Sequence, residues 1–335
     1  MKRLATAPSS RLVRIDIEQI RLMTRIARLH FLQGLRQADI AEKLGISQAS
    51  VSRYLTLAEE QGIVRTVVVS PDGLFPELEE GLVESYGLQS AYVIDISSSE
   101  EGVSHVLGTA AAQCLSSEFK ESPLVGFTSW STTLREMAKA MLPRSTGGVQ
   151  KVVETLGDLG SPMLQHEATM ATLQIAKALG AEAVFLRTPG VMPTPEMTRA
   201  AMADAHIQSA LRILDSLDVA LVGVGPADFH GPLEEGDNFF TASQLAAVRD
   251  AGAVGQLHQR FIDATGKPVE TKLNQLVMGI TLEQLRNARR KIVVAGGVAK
   301  HAAIAAALAG NWIDVLVTDV NTANYLMAHS PKGKS

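Results

Sequence analysis

Three groups of residues have the types and spacing to do chemistry. The first is Gln48, Ala49, Ser50, Ser52 and Arg53, with Gln37 and Ser47 just ahead of them. Short hydroxyl and amide side chains beside one guanidinium suit the base edges and phosphates of double-stranded DNA. The second is the stretch Val125-Gly126-Phe127-Thr128-Ser129-Trp130-Ser131-Thr132-Thr133-Leu134, which leaves a strand pattern and opens a helix pattern. Its amides and hydroxyls converge where an anion can bind. The third is Val294-Ala295-Gly296-Gly297-Val298-Ala299-Lys300, in which paired glycines allow close backbone approach and Lys300 falls in the first turn of the next helix. Both loops follow strands, where open α/β sheets gather their ligands.

Other polar residues carry two readings each. Trp130 either stacks on a ligand or fills a gap. Asp263 either accepts ligand hydroxyls or serves a turn before Thr265-Gly266, and Asp319 either caps a helix or touches ligand. His166 and Glu167 open a helix and either face the pocket or lie on the surface, and Asp204 and His206 read as a solvated pair on a helix face. His258 and His301 have no partner pattern, and Cys114 reads as a small buried helix residue. No metal site and no cofactor is expected.

The first group needs a scaffold, and the flanking residues supply one. In Gln37-Ala38-Asp39-Ile40-Ala41-Glu42-Lys43-Leu44, the residues Ile40, Ala41 and Leu44 share one helix face, and Ala41 is small enough for a close crossing. Gly45 provides positive φ for a tight turn. Ile46 plugs the core and Ser47 caps the next helix, which runs to about Gln61 and buries Val51 and Leu55. Ahead of this pair, Ile17, Ile20, Met23, Ile26, Ala27 and Phe31 predict an amphipathic helix over 17–33, with Arg21, Arg25 and Arg28 opposite. Residues Ile63–Val69 read as a strand, a wing in which Arg65 and Thr66 contact backbone phosphates.

The loops of the other two groups need a sheet. Strand patterns fall at 91–96, 124–127, 149–155, 183–186, 219–223, 292–295 and 315–317. Helical patterns fall at 103–119, 133–141, 166–179, 195–214, 281–288 and 299–308. Such alternation predicts a parallel sheet covered on both faces, a Rossmann-like α/β arrangement. The chain therefore divides into a disordered arm at 1–15, a winged helix-turn-helix at 16–70, a linker and helix at 71–90, and a ligand-binding domain at 91–330, with a frayed tail after it.

Charge is uneven. Residues 1–70 hold 11 Lys/Arg against 6 Asp/Glu, a surplus of +5, whereas the remainder carries −9. A basic module on an acidic body fits a polyanion partner at one end only. The longest apolar run, Ala302–Ala309, is far short of the roughly 18 residues a membrane span needs. No signal peptide is read at the N-terminus, and a cytoplasmic setting is the expectation.

Taken in order, several segments make the chain resemble the SorC (DeoR/SorC) family of sugar-responsive bacterial regulators, from about Leu22 to Leu326. They are the helix-turn-helix, the 129–134 loop, Ala220-Leu221-Val222-Gly223-Val224-Gly225, Gly252-Ala253-Val254-Gly255, Phe261-Ile262-Asp263-Ala264-Thr265-Gly266, the Gly296-Gly297 loop and Leu316-Val317-Thr318-Asp319. The resemblance implies an effector domain similar to glucosamine-6-phosphate deaminase and sugar-phosphate isomerases, binding a phosphorylated sugar or polyol that alters operator affinity. It also implies that Ser131, Thr132 and Thr133 hold the phosphate, that Asp263 accepts sugar hydroxyls, and that Lys300 lies near the ligand. One departure stands out: the family loop usually reads Trp-Gly-Arg-Thr, and here it is Trp130-Ser131-Thr132-Thr133, without the arginine. That substitution leaves the ligand's charge open.

Two functions follow. The first is a homodimeric or homotetrameric transcription regulator controlled by the ligand, with dimerisation through the 17–33 or 76–86 helix. The second is a sugar-phosphate isomerase or deaminase with a DNA-binding appendage, in which Lys300 forms a Schiff base. The absence of an evident acid/base pair beside Lys300 argues for the regulator.

Overall fold

The computed structural model describes residues 17–64, 73–97, 102–143, 148–228 and 238–330. The chain forms two compact units, Met1–Val69 and Ser70–Ser335. The arm at 1–15, the wing residues Arg65 and Thr66 and the tail after Ser330 lie outside the described residues.

Among the described residues the first unit has three α-helices, α1 (Ile17–Ala27), α2 (Gln37–Leu44) and α3 (Gln48–Glu60). Met23, Ile26, Ala27, Leu29, Ile40, Ala41, Val51, Leu55 and Ala58 form its core, and Leu44 and Ile46 pack half-buried against it. Gly45 has φ +64° and closes α2, as a tight turn demands. The amphipathic reading of the first helix is corrected on one edge. Ile17 is 68% exposed, Phe31 is 48% exposed and Ile20 is also exposed. Regular α-helix stops at Ala27 and a π-helical turn covers Arg28–Leu32. That wider turn shifts the register, burying Leu29 and leaving Phe31 outside.

The second unit begins with α4 (Pro76–Tyr86), β1 (Ser90–Ile94), α5 (Val103–Cys114), β2 (Leu124–Phe127), α6 (Thr132–Ala140), β3 (Lys151–Glu154), α7 (Pro162–Leu179) and β4 (Glu182–Val184). It continues with α8 (Pro195–Met202), α9 (Ala205–Ile213), β5 (Val219–Val222), β6 (Val224–Pro226), α10 (Ala242–Asp250), β7 (Ala253–Leu257), β8 (Arg260–Asp263) and α11 (Leu282–Asn287). It closes with β9 (Arg290–Val294), α12 (His301–Ala309), β10 (Val315–Asp319) and α13 (Val320–Ala328).

Seven strands make one sheet in the order β1-β10-β9-β5-β2-β3-β4, and every pairing in it is parallel. Successive side chains alternate between two cores, as strand geometry requires. Val125, Phe127, Leu221, Ile292 and Val294 join α5, α6 and α7 on one face. Ala220, Val222, Val293 and Leu316 join α4, α12 and α13 on the other. The helix α4 is part of this core: Leu82 is buried, and Leu78, Val83 and Tyr86 pack beside it. Its apolar face is thus spent within the chain rather than left for a partner.

Two features depart from the sequence expectation. A second, antiparallel sheet of β6, β7 and β8 sits beside the parallel one. The 195–214 helix is two helices, because Asp204 stops the first and caps the second: its Oδ1 accepts from the backbone N–H of His206 at 2.8 Å and Ile207 at 3.1 Å. Asp204 and His206 are therefore a cap and its first turn, not a pair on a helix face.

Candidate functional site

In the first unit, Ser47 turns its side chain back on α3. Its Oγ accepts from the Ser50 N–H at 3.1 Å and lies 2.9 Å from Ser50 Oγ. These hydroxyls hold the helix start, which leaves Gln48, Ala49, Ser52 and Arg53 as the free outward residues of α3. Gln37 opens α2 half-buried. The Arg53 guanidinium carbon lies 5.7 Å from the Tyr54 ring centroid, so the charge is steadied without being neutralised.

In the second unit, the loops after β2 and β9 meet at one cleft of about 140 Å³. Trp130, Ser131 and Thr132 line it from one side and Lys300 from the other. Ser131 is the N-cap of α6, its Oγ accepting from the Leu134 N–H at 3.4 Å. The positive end of α6 therefore opens on the cleft. Lys300 closes a 3-10 turn before α12, and burial lowers its pKa. Its ammonium has no hydrogen-bond or ion-pair partner among the described residues.

Three predicted site residues lie elsewhere. Ser129 is buried, and its Oγ has no partner among the described residues. Thr133 is also buried, with its hydroxyl bonded to Ser104 at 3.2 Å. Asp263 is not at the cleft. Its Oδ1 accepts from the Thr265 N–H and hydroxyl, each at 2.8 Å, and from the Lys267 N–H at 3.0 Å. Those bonds hold the carboxyl below the ordinary range and settle it as a turn residue. Asp319 likewise has a structural role. Its Oδ1 accepts from the Thr322 N–H at 2.9 Å, and its Oδ2 accepts from the Gly297 N–H at 2.8 Å and the Thr322 hydroxyl at 2.7 Å. Asp319 thereby caps α13 and anchors the loop that carries Lys300.

The cleft also contains Thr128 of the same loop, His258, for which the sequence showed no partner pattern, and three residues that sequence reasoning passed over: Arg135, Gln256 and Gln259. Arg135 follows Ser131 and Thr132 by four and three positions, so helical spacing puts it on their face. His258 and Gln259 are the two residues of the β7–β8 turn, with φ +52° and +61°. Hairpin turns normally point to water, but this one is folded inward and nearly closed off. His258 Nε2 lies 2.7 Å from Thr128 Oγ1, and Thr128 donates to the Leu221 carbonyl at 2.7 Å. With that proton committed, Nε2 carries the imidazole hydrogen and Nδ1 is a bare acceptor. Burial, and secondarily Arg260, push the His258 pKa down to about 3, so the ring is neutral at physiological pH.

Among the described residues no carboxylate lines the cleft. Among the described residues no group of His, Cys, Asp and Glu could hold a metal, and no helix is long and apolar enough to cross a membrane.

The sequence matches the sugar-binding domain family (Sugar-bind) over residues 74–328 and a winged helix-turn-helix DNA-binding family over residues 33–65. It is 31% identical to a deoxyribonucleoside regulator of Bacillus subtilis over 314 residues, covering 93% of this chain and 99% of that protein. It is 30% identical to the sorbitol operon regulator of Klebsiella pneumoniae, covering 92% of this chain and 98% of that protein. The crystal structure of full-length SorC from Klebsiella pneumoniae superposes with a TM-score of 0.68 at 29% identity, covering 92% of this chain and 99% of that one. With the helix-turn-helix unit and the seven-stranded parallel sheet, these matches show that the chain belongs to the SorC family of sugar-binding, DNA-binding transcriptional regulators.

Proposed function

We propose that the cleft binds a phosphorylated sugar or polyol, and that its occupancy sets the affinity of the helix-turn-helix unit for a double-stranded DNA operator. The observation that carries this reading is that Arg135 and Lys300 line one cleft whose described lining residues include no carboxylate. A buried guanidinium and a half-buried ammonium without a lining anion favour a ligand that brings its own negative charge. The arginine missing from the Trp130-Ser131-Thr132-Thr133 loop is replaced in charge by Arg135, three residues further on. Ser131 and Thr132 add hydroxyls, and the Gln256 and Gln259 amides suit sugar hydroxyls. Two relatives take their names from sorbitol and deoxyribonucleosides, which fits polyols and sugars as the effector class.

The regulator acts as a homodimer or homotetramer on paired half-sites about 34–36 Å apart, or a multiple of that spacing. The exposed Ile17, Ile20, Phe31 and Leu32 on and after α1 support this, since such side chains gain by being covered.

Thermal-shift titration with sugar and polyol phosphates and their unphosphorylated counterparts tests the ligand class. A phosphorylated ligand at 100 times its Kd is expected to add about 2.7 kcal/mol of stability, and Lys300→Gln to weaken its binding. Equal binding of the unphosphorylated partners, or no change in operator gel shift with any bound ligand, overturns the reading.

A further inference from the structure

Arg135 faces two ways. Its guanidinium lines the cleft, and its Nε lies 3.8 Å from Oε2 of Glu167 on α7. That separation is too long for a hydrogen bond but short enough for charge attraction. The rest of the guanidinium is thinly held. Nη1 donates to the Ser129 carbonyl at 3.3 Å and Nη2 to Thr132 Oγ1 at 3.4 Å. A guanidinium has five N–H donors, so this one, only 8% exposed as a residue, has unused capacity.

Two carboxylates compensate Arg135, Glu167 more strongly than Glu136. Glu136, the adjacent carboxylate, is occupied by Lys139 at 2.6 Å and His105 at 2.9 Å. Glu167 has no other ion-pair partner among the described residues, and half of its side chain is exposed. Leaving Arg135 therefore costs it little, because water takes the place of the guanidinium.

We propose that Glu167 is an intramolecular competitor for Arg135 that sets the cleft's affinity for anions. With no ligand bound, Glu167 balances the guanidinium. An entering phosphate offers short, charge-assisted bonds and displaces it. This inference rests on the anion reading of the cleft and adds to it the residue that tunes its affinity.

Isothermal titration of the full-length protein with inorganic phosphate, at fixed pH and salt, tests the idea with four proteins: unmodified, Glu167→Gln, Arg135→Gln and the double variant. A half-exposed ion pair at 3.8 Å is a weak interaction, so Glu167→Gln is expected to bind phosphate about two- to five-fold more tightly. Arg135→Gln is expected to bind more weakly, and Glu167→Gln to have no further effect in that background. Equal or weaker binding by Glu167→Gln overturns the competitor role, since it makes Glu167 a bystander or a support for Arg135. A gain that persists without Arg135 overturns it too, because the effect is then general surface charge. If Arg135→Gln leaves phosphate binding unchanged, or the unmodified protein binds none, the anion reading falls and the competitor role with it.

Discussion

Thr172 Oγ1 lies 3.0 Å from Oε1 of Glu154 and 3.0 Å from the carbonyl oxygen of Ala168. One hydroxyl proton cannot serve both. The carbonyl only accepts, so the contact with Glu154 is best completed by a proton on the carboxyl itself. The other oxygen, Oε2, accepts from the Leu186 N–H at 3.1 Å. Burial raises the Glu154 pKa to about 7, against these bonds and the pull of Arg187. Folded Glu154 thus keeps its proton where the unfolded carboxyl has lost it. Between about pH 4.5 and 7 the folded state binds more protons, so this group's contribution to stability falls as pH rises. Glu154→Gln keeps both bonds without a charge to bury. Its unfolding free energy relative to the unmodified protein is expected to climb across that window, to a gap on the order of 3 kcal/mol above it. A gap independent of pH refutes the assignment.

His258 titrates in the opposite sense. Its folded pKa of about 3 lies below the ordinary 6.5, so its contribution is present above 6.5 and is lost as pH falls toward 3. The ring stays neutral where the regulator works. Effector affinity is therefore expected to rise with pH around 6, following the second ionisation of a ligand phosphate rather than His258. Calorimetry of unmodified protein and His258→Asn, a residue that tolerates positive φ, should give the same pH midpoint even if the affinities differ.

Asp319 and Gly296 form one device. A Cβ on Gly296 would lie 2.2 Å from Asp319 Oδ2, so only glycine leaves the carboxylate room to hold the Gly297 N–H. Asp319→Ala is expected to cost at least about 2 kcal/mol, through the lost cap and buried partners left unpaired. Both Asp319→Ala and Gly296→Ala should weaken effector binding although neither residue lines the cleft. Chemical denaturation and ligand titration of the same preparations check this.

In the first unit, two neighbouring residues should separate cleanly. Ser47→Ala is expected to lower stability by about 1 kcal/mol through loss of the cap. Arg53→Ala should leave melting unchanged and weaken operator binding about tenfold or more. If it contacts phosphate alone, the loss will be uniform across DNA sequences and the salt slope will shrink by about one. Gel shifts at several salt concentrations distinguish the two.

Much of this was legible in the sequence where local chemistry decides the outcome. The α2–turn–α3 segment follows from Gly45, Ser47 and the inner apolar face, because each acts on neighbours in the chain. The strands of the parallel sheet are apolar runs between helices, and β2 matches its expected bounds. The antiparallel sheet was not legible. Its β6 is three residues containing Gly225 and Pro226, and its hairpin turn is His258-Gln259, lacking the Asn-Gly or Asp-Gly signal. At the cleft, Lys300 and the hydroxyl loop were visible as motifs. Arg135 was missed because charged helix residues usually face water. Asp263 misled because a carboxylate beside Thr265-Gly266 has the same sequence whether it serves a turn or a ligand.

The edge pairing of β1 with β10 also governs the order of assembly. Ser90 pairs with Val315 and Ile94 with Asp319, so β1 has no partner until nearly the whole chain has emerged from the ribosome. The first unit draws its core from residues 23–58 and needs none of that distant sequence. Local contacts form faster than distant ones. The helix-turn-helix is therefore formed before the ligand cleft exists, and a nascent or truncated chain carries a reader of DNA with no sensor attached.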